Sequence, residues 1–298
     1  MRKLMLGLMI AFAATAEAEV FSHVHIGNLI YDLDTEAKTA TITDRDFLAD
    51  LTKIDVGEVE WMGQKYTVTA IGEMALQGCS SLTSVSLPNA ATIGARAFWY
   101  CGSLKEVSLP NATTIGEYAF ADCGLTSVSL PNAATIGASV FNKCSSLVSV
   151  SFPKVKTIEQ GFFRGFENLT VVDLSSATTI GWDAFQNCSS LTSISLPSAT
   201  TIGADAFDTC DKLDLILTNG AMKDTLNGDR SAYGLRTDVR IRALTKEQVE
   251  AAAWTQAVLC DGLFISGNDY GVLCSSAGLT PKTEPQVVQE GEIAVKQT

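Results

Sequence analysis

Two groups of residues have the types and spacing of metal ligands. His23 and His25 are the only histidines of the chain, and an H-x-H pair on one strand face presents two imidazoles to a metal ion; an exposed edge strand without an ion is the alternative. A second stretch carries an aspartate at every third position: Asp205, Asp208, Asp211 and Asp214. That stretch lacks the D-x-D-x-D-G spacing of an EF-hand calcium loop. We therefore predict no metal and no cofactor.

Nucleophilic catalysis needs a serine or cysteine beside a base, and histidine is the usual base. Serines are plentiful, but they recur at the same place in every repeat of the chain, which is typical of a repetitive surface and not of a single active site. The sequence contains no Walker loop and no G-x-G-x-x-G motif. These observations predict a protein that is not an enzyme and has no catalytic residues.

Six of the eight cysteines recur at one repeat position: Cys79, Cys101, Cys123, Cys144, Cys188 and Cys210. Equivalent residues of stacked coils lie ~4.8 Å apart and point the same way, whereas a disulfide needs Cβ atoms ~3.8 Å apart and a defined torsion. Phe166 takes this position in the fifth repeat, so the position accepts an apolar filler. We predict free, buried thiols. Cys260 and Cys274 lie outside the repeats and are the candidate disulfide, with two isolated core thiols as the alternative.

Aromatic residues and arginines gather at positions that other repeats give to small or polar residues, and these types anchor protein interfaces. The candidate ligand-binding residues are Arg96, Trp99, Tyr100, Tyr118, Arg164 and Trp182. Tyr118 and Trp99 share their positions with charged residues of other repeats, which predicts that both lie at the surface. Phe162, Arg164, Phe166 and Trp182 make a second group of this kind. The alternative is that several of these side chains fold inward and widen the core.

An internal repeat sets the positions of all these residues. The stretch "SLTSVSLPNAATIGARAFWYC" (81–101) is followed by "SLKEVSLPNATTIGEYAFADC" (103–123). Alignment on the T-I-G segment gives seven equivalent isoleucines, spaced by 22 residues or, once, by 21: Ile71, Ile93, Ile115, Ile136, Ile158, Ile180 and Ile202. A fixed period of this length is the mark of a solenoid, in which each repeat buries its apolar side against the next.

The first part of each repeat, L-x-x-V-x-L-P, alternates apolar and polar residues. In one repeat Val85 and Leu87 point inward while Ser84 and Ser86 point outward, which predicts a short strand ended by a proline. The outward residues form either a plain solvated face or a second candidate binding surface around Glu106, Ser127 and Asp173.

The second part of each repeat contains T-I-G and A-F-x-x-C. The T-I pair predicts another short extended segment. Ala97, Phe98 and Cys101 then fall near one face of a helical or 3₁₀ turn. The phenylalanines of successive repeats are expected to stack, with Leu76 in the first rung: Phe98, Phe120, Phe141, Phe163, Phe185 and Phe207.

The pattern "LTSVSLPNATTIGxxAFxxC" resembles the BspA-like (Treponema pallidum type) class of leucine-rich repeat over about 67–213. The resemblance implies a right-handed solenoid with a parallel sheet on one face. It also implies a secreted or surface protein, often an adhesin for host or matrix proteins. The predicted fold is therefore an α/β-type repeat solenoid with short parallel strands, about seven 22-residue repeats and flanking β caps.

The ends of the chain differ from the repeats. Residues 1–18 have the positive start, apolar stretch and small-residue cleavage site of a signal peptide. Two predicted hairpins, "LIYDLDTEAKTATIT" and "VEWMGQKYTVTAIG", make 19–66 an amino-terminal β cap, with an independent small β domain as the alternative. The solenoid occupies 67–218. A carboxy-terminal cap at 219–278 has a helix from about Lys246 and a hairpin around "SGND", with a small second domain as the alternative, and 279–298 is a flexible tail.

The composition limits which kinds of partner and function are possible. The chain is 46% hydrophobic and 18% charged, which permits a large core, and its net charge of −12 disfavours nucleic acid and anionic membranes as partners. No segment after the signal peptide is apolar enough to span a membrane. We predict an extracytoplasmic, secreted or cell-surface protein that binds a protein partner without catalysis. A glycan-binding surface protein and a structural module of an envelope assembly are the alternatives.

Overall fold

A computed structural model describes residues 19–46 and 50–243, together with the backbone of two short strands at 263–264 and 294–295. The chain forms a parallel β-solenoid of about eight turns, with repeats of about 22 residues and little helix. This confirms the predicted repeat solenoid. The predicted signal peptide, the predicted helix from Lys246 and the Cys260–Cys274 pair lie outside the described residues.

The L-x-x-V-x-L segments form one strand per repeat, and we call these the front strands. Each begins with an outward residue, because the valine or isoleucine at its centre points into the core. Their bounds are β7 (Ser84–Ser86), β9 (Glu106–Ser108), β11 (Ser127–Ser129), β13 (Ser149–Ser151), β15 (Val171–Asp173), β17 (Ser193–Leu196) and β19 (Leu215–Thr218). We call the surface made by their outward side chains the front face.

The T-I pairs form the back strands, which pair in parallel with their equivalents in the next coil except between the third and the fourth, where the back sheet divides. This confirms the second extended segment of each repeat. Their bounds are β8 (Thr92–Ile93), β10 (Thr114–Ile115), β12 (Thr135–Ile136), β14 (Thr157–Ile158), β16 (Thr179–Ile180) and β18 (Thr201–Ile202).

Six strands precede the repeats: β1 (Val20–Ile26), β2 (Leu29–Asp34), β3 (Thr39–Arg45), β4 (Lys53–Asp55), β5 (Glu58–Trp61) and β6 (Gln64–Ile71). The two predicted hairpins are confirmed, since β2 pairs antiparallel with β3 and β5 with β6. The same segment also continues the solenoid, because β4 pairs in parallel with front strand β7, and β6 lies between β3 and back strand β8. One buried apolar cluster runs through these strands and the repeats.

After the last repeat the chain forms helix α1 (Gly220–Gly228), a short 3₁₀ turn (Ser231–Tyr233) and β20 (Arg240–Ala243). Asn219 caps α1, because its side-chain oxygen accepts a hydrogen bond from the backbone N–H of Met222. β20 pairs in parallel with β19 and so extends the front sheet by one strand. Further along, β21 (Leu263–Phe264) pairs antiparallel with β22 (Ala294–Val295), whereas the sequence analysis paired this stretch with residues just after "SGND".

The front strands divide into two parallel sheets, β4-β7-β9 and β11-β13-β15-β17-β19-β20. The division falls before β11, in the repeat that is one residue short. The missing residue brings the turn close to the coil before it: a Cβ at Gly124 would lie 2.5 Å from the backbone oxygen of Gly102. A glycine is therefore required there.

The phenylalanine ladder fills the core between the two rows of strands. Phe98 and Phe120 stack with ring centroids 5.1 Å apart and planes 6° apart, and all six ladder phenylalanines are fully buried. One rung departs from the prediction. Phe152 replaces the leucine that ends the front strand, and its ring stacks on both Phe141 (5.6 Å) and Phe163 (6.4 Å). Burial of one such ring contributes ~1.5–3 kcal/mol, so the ladder is a large part of the core that stabilises the fold.

Two predictions about the repeat are wrong. Residues 97–100 form hydrogen-bonded turns rather than helix or 3₁₀ helix, although Ala97, Phe98 and Cys101 are buried together as expected. The second error concerns the front face, whose outward polar residues were expected in solvent. In the carboxy-terminal half they are buried: Ser149, Ser151, Asp173, Ser193 and Ser195.

Candidate functional site

The turn after each back strand contains two positions with a left-handed backbone. At the first the seven residues have φ between 54° and 60°: Met74, Arg96, Tyr118, Ser139, Gly161, Asp183 and Asp205. At the second φ lies between 55° and 78°: Gly78, Tyr100, Asp122, Lys143, Gly165, Asn187 and Thr209. This conformation suits glycine, asparagine and aspartate, and it costs other residues ~1–2 kcal/mol.

Three bulky residues nevertheless take these positions in two adjacent coils. Arg96, Tyr100 and Tyr118 all have positive φ, and their backbone N–H groups are held by carbonyls of the next coil, with N···O distances of 2.8, 3.1 and 3.1 Å. The coil geometry imposes the conformation, so the side chains stand where glycine would be the least strained choice. Together with Trp99 we call these residues the aromatic edge.

The side chains of the aromatic edge stack on one another. The Trp99 and Tyr100 ring centroids are 4.6 Å apart, and those of Trp99 and Tyr118 are 6.4 Å apart. The Arg96 guanidinium lies 5.7 Å from both the Trp99 and the Tyr118 ring centroids. A cation at this distance from two ring faces is attracted to both, which links the coils through their side chains.

Carboxylates surround this stack and fix its polar groups. The Arg96 guanidinium lies 3.8 Å from the carboxylate of Glu73 and 3.9 Å from that of Glu117. The indole Nε1 of Trp99 donates a hydrogen bond of 3.3 Å to Asp122 Oδ2. Because contacts on several sides hold Arg96 and Trp99, ordering them on binding a partner would cost little side-chain entropy.

The aromatic edge lies at the surface. Tyr100 is 49% exposed, and Trp99 and Tyr118 are half-buried by the stack itself. The rings of Phe98 and Phe120 fill the core beneath them and are fully buried. The alternative that these aromatic residues fold inward and widen the core is therefore wrong for Trp99, Tyr100 and Tyr118.

An open depression adjoins the aromatic edge on its amino-terminal side. Its volume is about 420 Å³, and Tyr100, Asp44, Arg45 and Glu73 are among the residues that line it. Aromatic, acidic and basic groups thus meet at one concave surface. Sequence reasoning missed Asp44 and Arg45, because they come from β3, which precedes the repeats by some 30 residues.

The second group of candidates separates in the structure. Trp182 is 65% exposed, and its ring lies across Gly203 of the next coil, where a Cβ would be 2.4 Å from Trp182 Cδ1. Arg164 is exposed and lies 3.8 Å from the carboxylate of Asp183.

The two phenylalanines of that group pack on the core. Phe162 is half-buried and packs edge-on against Phe163, with ring centroids 4.8 Å apart, whereas Phe166 is buried. Trp182 and Arg164 therefore remain surface candidates without a stacked cluster.

The six repeat cysteines are free and buried, as predicted. Their thiols also make a contact that the sequence analysis missed: each of five donates to a backbone carbonyl of the preceding coil, at 3.0 to 3.2 Å, as from Cys144 Sγ to the oxygen of Phe120. Burial raises the pKa of the Cys144 thiol to about 12. Such a thiol is neutral at physiological pH and unreactive as long as the protein is folded.

The residues with metal-ligand spacing do not converge. His23 lies at a bulge in β1 with φ of 59°, which interrupts the alternation that would align it with His25. Asp208 accepts a hydrogen bond from Gln186, and Asp214 pairs with Arg240. Across residues 19–46 and 50–243 no three or more His, Cys, Asp or Glu side chains cluster as metal ligands do.

The repeats have a matching family model. The model described as the BspA type leucine rich repeat region matches in six copies over residues 58–114 and 113–224. The chain belongs to this family of BspA-type leucine-rich repeats. A comparison with curated proteins yields no match.

Solved leucine-rich repeat proteins of bacteria are similar to this BspA-type chain. A leucine-rich repeat protein of T. pallidum is 21% identical, covers 73% of this chain and 100% of its own, and has a TM-score of 0.46. One from Bacteroides capillosus is 32% identical over 44% of this chain and 97% of its own, with a TM-score of 0.39. A leucine rich cell surface protein of Faecalibacterium prausnitzii is 18% identical over 80% and 98%, with a TM-score of 0.26. In the part of our chain that the structure describes, no helix has the length and apolarity to cross a membrane.

Proposed function

We propose that this BspA-type leucine-rich repeat protein binds a protein partner, without catalysis, at the aromatic edge of Arg96, Trp99, Tyr100 and Tyr118. The observation that carries the proposal is that three residues with a strained backbone also stack as one surface cluster. Other coils place Met74, Ser139, Lys143 and Thr209 at the same turn positions, but none of these is aromatic. Strain gathered in one cluster is a feature of functional sites.

The chemistry of the aromatic edge favours a protein as the partner. Tryptophan, tyrosine and arginine are the residue types that dominate binding energy at protein interfaces. Here they are already ordered by stacking and by contacts with Glu73, Glu117 and Asp122. Partly exposed aromatic rings on a monomer form an apolar patch that a partner would cover.

A location outside the cytoplasm is part of the same proposal. It is supported by the signal-peptide pattern of residues 1–18 and by the solved relative that is called a cell surface protein. A binding protein with stacked surface aromatics is consistent with an adhesive role on such a surface.

Affinity capture followed by mutagenesis tests the proposal. The immobilised chain is exposed to extracellular and surface protein fractions, captured proteins are identified by mass spectrometry, and the dissociation constant is measured for a purified partner. Trp99→Ala and Tyr118→Ala are each expected to weaken binding by ~2 kcal/mol or more, which is about 30-fold. Unfolding by urea should be little changed, because neither ring lies in the core.

Matched controls come from the same turn positions one or two coils further along. Asn142→Ala corresponds to Trp99→Ala, and Ser139→Ala corresponds to Tyr118→Ala; both should leave the affinity unchanged. A double variant of Trp99 and Tyr118 that keeps the full affinity would overturn the site. Binding on a glycan array, with no protein captured, would replace the protein partner with a glycan that stacks on the same rings.

A further inference from the structure

One junction between neighbouring coils lacks the hydrogen bonds that join the turns on either side of it. It lies between residues 125–146 and 147–168, which we call the fourth and fifth coils. Before this junction the N–H of Asp122 donates to the carbonyl of Asn142, and after it the N–H of Gly165 donates to that of Gln186, both at 2.8 Å. The equivalent N–H of Lys143 makes no backbone hydrogen bond within the part of the chain that the structure describes. The same holds for the two other turn donors of the fourth coil: Ser139 and Phe141.

The back strands separate at the same junction. β12 ends one back sheet and β14 begins the next, so these two strands do not pair. On the front face, in contrast, β11 and β13 pair in register over three residues. The fourth and fifth coils are therefore joined along the front strands and open at the back strands and turns.

Glu159 explains why the back of the fifth coil stays apart from the fourth. The residue after the back strand is a glycine in five other coils, and a Cβ there would lie 2.4 to 2.6 Å from backbone atoms of the preceding coil: Gly94, Gly116, Gly137, Gly181 and Gly203. Glycine at this position permits the close approach of two backbones. Glu159 has a Cβ at this position, so the fifth coil cannot approach the fourth at the usual spacing.

Three phenylalanines of the fifth coil add to the separation. The ring of Phe152 stands where other coils have leucine, and it lies between the rings of Phe141 and Phe163. Phe162 stands where other coils have alanine or valine, and Phe166 where they have cysteine. The opening therefore follows from larger residues that only this coil carries.

A cleft of about 270 Å³ lies at one end of the opened turn. Residues of both coils line it: Asn142, Lys143, Ser145, Arg164, Gly165 and Phe166. Among the described residues, neither the N–H of Lys143 nor the carbonyl of Arg164 has a backbone hydrogen-bond partner. At the next junction the equivalent groups, of Gly165 and Gln186, bond to each other. A peptide unit carries one acceptor and one donor, so an extended chain in the cleft would pair with both groups.

The charges of the cleft favour an acidic ligand. Lys143 and Arg164 line it, and no carboxylate does. The carboxylates that pair with these cations belong to the coils on either side: Asp122 lies 3.5 Å from Lys143 Nζ, and Asp183 lies 3.8 Å from the Arg164 guanidinium. Both cationic side chains are more than half exposed, and ion pairs of exposed side chains are weak. An acidic group in the cleft would therefore attract both cations.

We propose that the cleft between the fourth and fifth coils binds an extended, acidic peptide segment of a partner protein. The main chain of the segment bonds to the N–H of Lys143 and the carbonyl of Arg164. Its carboxylate lies between the side chains of Lys143 and Arg164, and Phe166 adds an apolar lining. This proposal does not depend on binding at the aromatic edge.

Nuclear magnetic resonance of the full chain labelled with ¹⁵N-lysine tests the site. The backbone amide signal of Lys143 is assigned with Lys143→Arg, which removes it. The probes are two pools of acetylated and amidated pentapeptides with random flanking residues and a central aspartate or a central lysine. Titration to ~10 mM detects dissociation constants in the mM range. The aspartate pool should shift the Lys143 signal saturably, with an apparent affinity at least ~10-fold above that of the lysine pool. The signal of Lys223 on α1 should not move.

A charge variant shows whether the cations of the cleft hold the carboxylate. Arg164→Gln should weaken binding of the aspartate pool by about tenfold, because a charged donor is lost. The matched change Lys212→Gln, at an exposed lysine outside the cleft, should leave the affinity unchanged. No saturable shift of Lys143, or equal shifts with both pools, would overturn the proposal. An equal shift with inorganic phosphate would indicate a site for simple anions and would contradict a peptide site.

A variant that closes the junction tests whether the opening is the site. Phe152→Leu combined with Glu159→Gly restores the residues that other coils have at these positions. Hydrogen exchange of the Lys143 amide should then slow at least ~10-fold, because its N–H gains a carbonyl acceptor, and the aspartate pool should no longer bind. Retained binding after closure would overturn the proposal. An unchanged exchange rate would contradict the argument that these residues open the junction.

Discussion

Ser127 and Ser149 stand at the same position of the same three-residue strand sequence, in adjacent coils that pair with each other. Ser127 is exposed, whereas Ser149 is 3% exposed. We call β7, β9 and β11 the open half of the front face, and β13, β15, β17 and β19 the covered half. The two halves share their local structure and differ in the burial of their outward side chains. The comparison shows that a repeat fixes the inward side of each coil but leaves the environment of its outward side undetermined.

The two halves also differ at the turns. The first left-handed position holds Arg96 and Tyr118 in the open half, and Gly161, Asp183 and Asp205 in the covered half. At this position the covered half uses residues that tolerate the backbone, whereas the open half uses bulkier residues. The second left-handed position does not follow this division, since Thr209 takes it in the covered half. We place the partner at the open half because strained residues gather there in one aromatic stack.

The largest loss of stability is expected from a substitution in the core where the two halves join. Phe141 stacks between Phe120 of the open half and Phe152 of the covered half. Phe141→Ala should lower the free energy of unfolding by ~3–5 kcal/mol, since it leaves a cavity in the ladder. Urea denaturation measures this, with exposed Asn142→Ala as a control that should stay within ~0.5 kcal/mol. Similar losses for both variants would mean that the ladder is not the common core.

A leucine that points away from the core should behave as a core residue in the covered half. Leu217 is 1% exposed although it lies on the front face, so Leu217→Ala should cost ~2–4 kcal/mol. The matched change in the open half, Ser129→Ala, should cost less than ~0.5 kcal/mol. A loss below 1 kcal/mol for Leu217→Ala would show that the covered half is exposed to solvent.

The buried carboxyl group of Asp173 should make stability depend on pH. Burial raises its pKa from 3.8 to about 6, although Ser151 Oγ (2.8 Å) and the N–H of Ser175 (3.2 Å) donate to it. The folded state therefore binds the proton more tightly than the unfolded state, so this group favours folding increasingly as the pH falls from about 6 to about 4.

Asp173→Asn isolates that contribution. The amide carries no charge, so at pH 7 the variant should be more stable than the parent chain by ~3 kcal/mol, given 1.36 kcal/mol for each pKa unit. Below about pH 4 the difference should vanish. Paired thermal or urea unfolding curves across this range provide the measurement, and a difference that does not change with pH would contradict the burial of Asp173.

The smallest expected effect concerns the strained turn. Tyr118→Gly and Tyr118→Ala both remove the ring, but only glycine relieves the left-handed backbone, so the glycine variant should be the more stable by ~1 kcal/mol. At Glu117, whose φ is not positive, the order should reverse, because glycine loses more entropy on folding. The same order at both positions would show that the turn is not strained.

The sequence predicted most of the fold because its signals are periodic. The T-I-G spacing predicted the length of the coils. The alternation around Val85 predicted which residues of the front strands point inward, and the phenylalanine and cysteine positions predicted the core residues. Phe152 was not foreseen as a rung, since its position belongs to the leucine that ends the front strand, and only packing shows that its ring reaches the gap between Phe141 and Phe163.

The sequence predicted which residues form the candidate site but not how their side chains are arranged. Departures from the repeat pattern identified Arg96, Trp99, Tyr100 and Tyr118, and the structure places them in one stack. The same reasoning grouped Phe162 and Phe166 with Trp182, although Phe166 is buried and Phe162 is half-buried against the core. A departure from a repeat shows that a position is unusual; which side of the chain it faces depends on the turn.

The sequence alone determined the coil length, the two rows of strands and the identity of the inward residues, because these follow from local alternation and from a period that every repeat shares. Only the tertiary structure decided which outward residues are buried and which side chains carry a left-handed backbone. The physical reason is that both depend on atoms distant in sequence. Ser149 and Leu217 are buried although their positions in the repeat face outward, and the backbone N–H of Tyr118, which has a positive φ, donates to a carbonyl of the next coil.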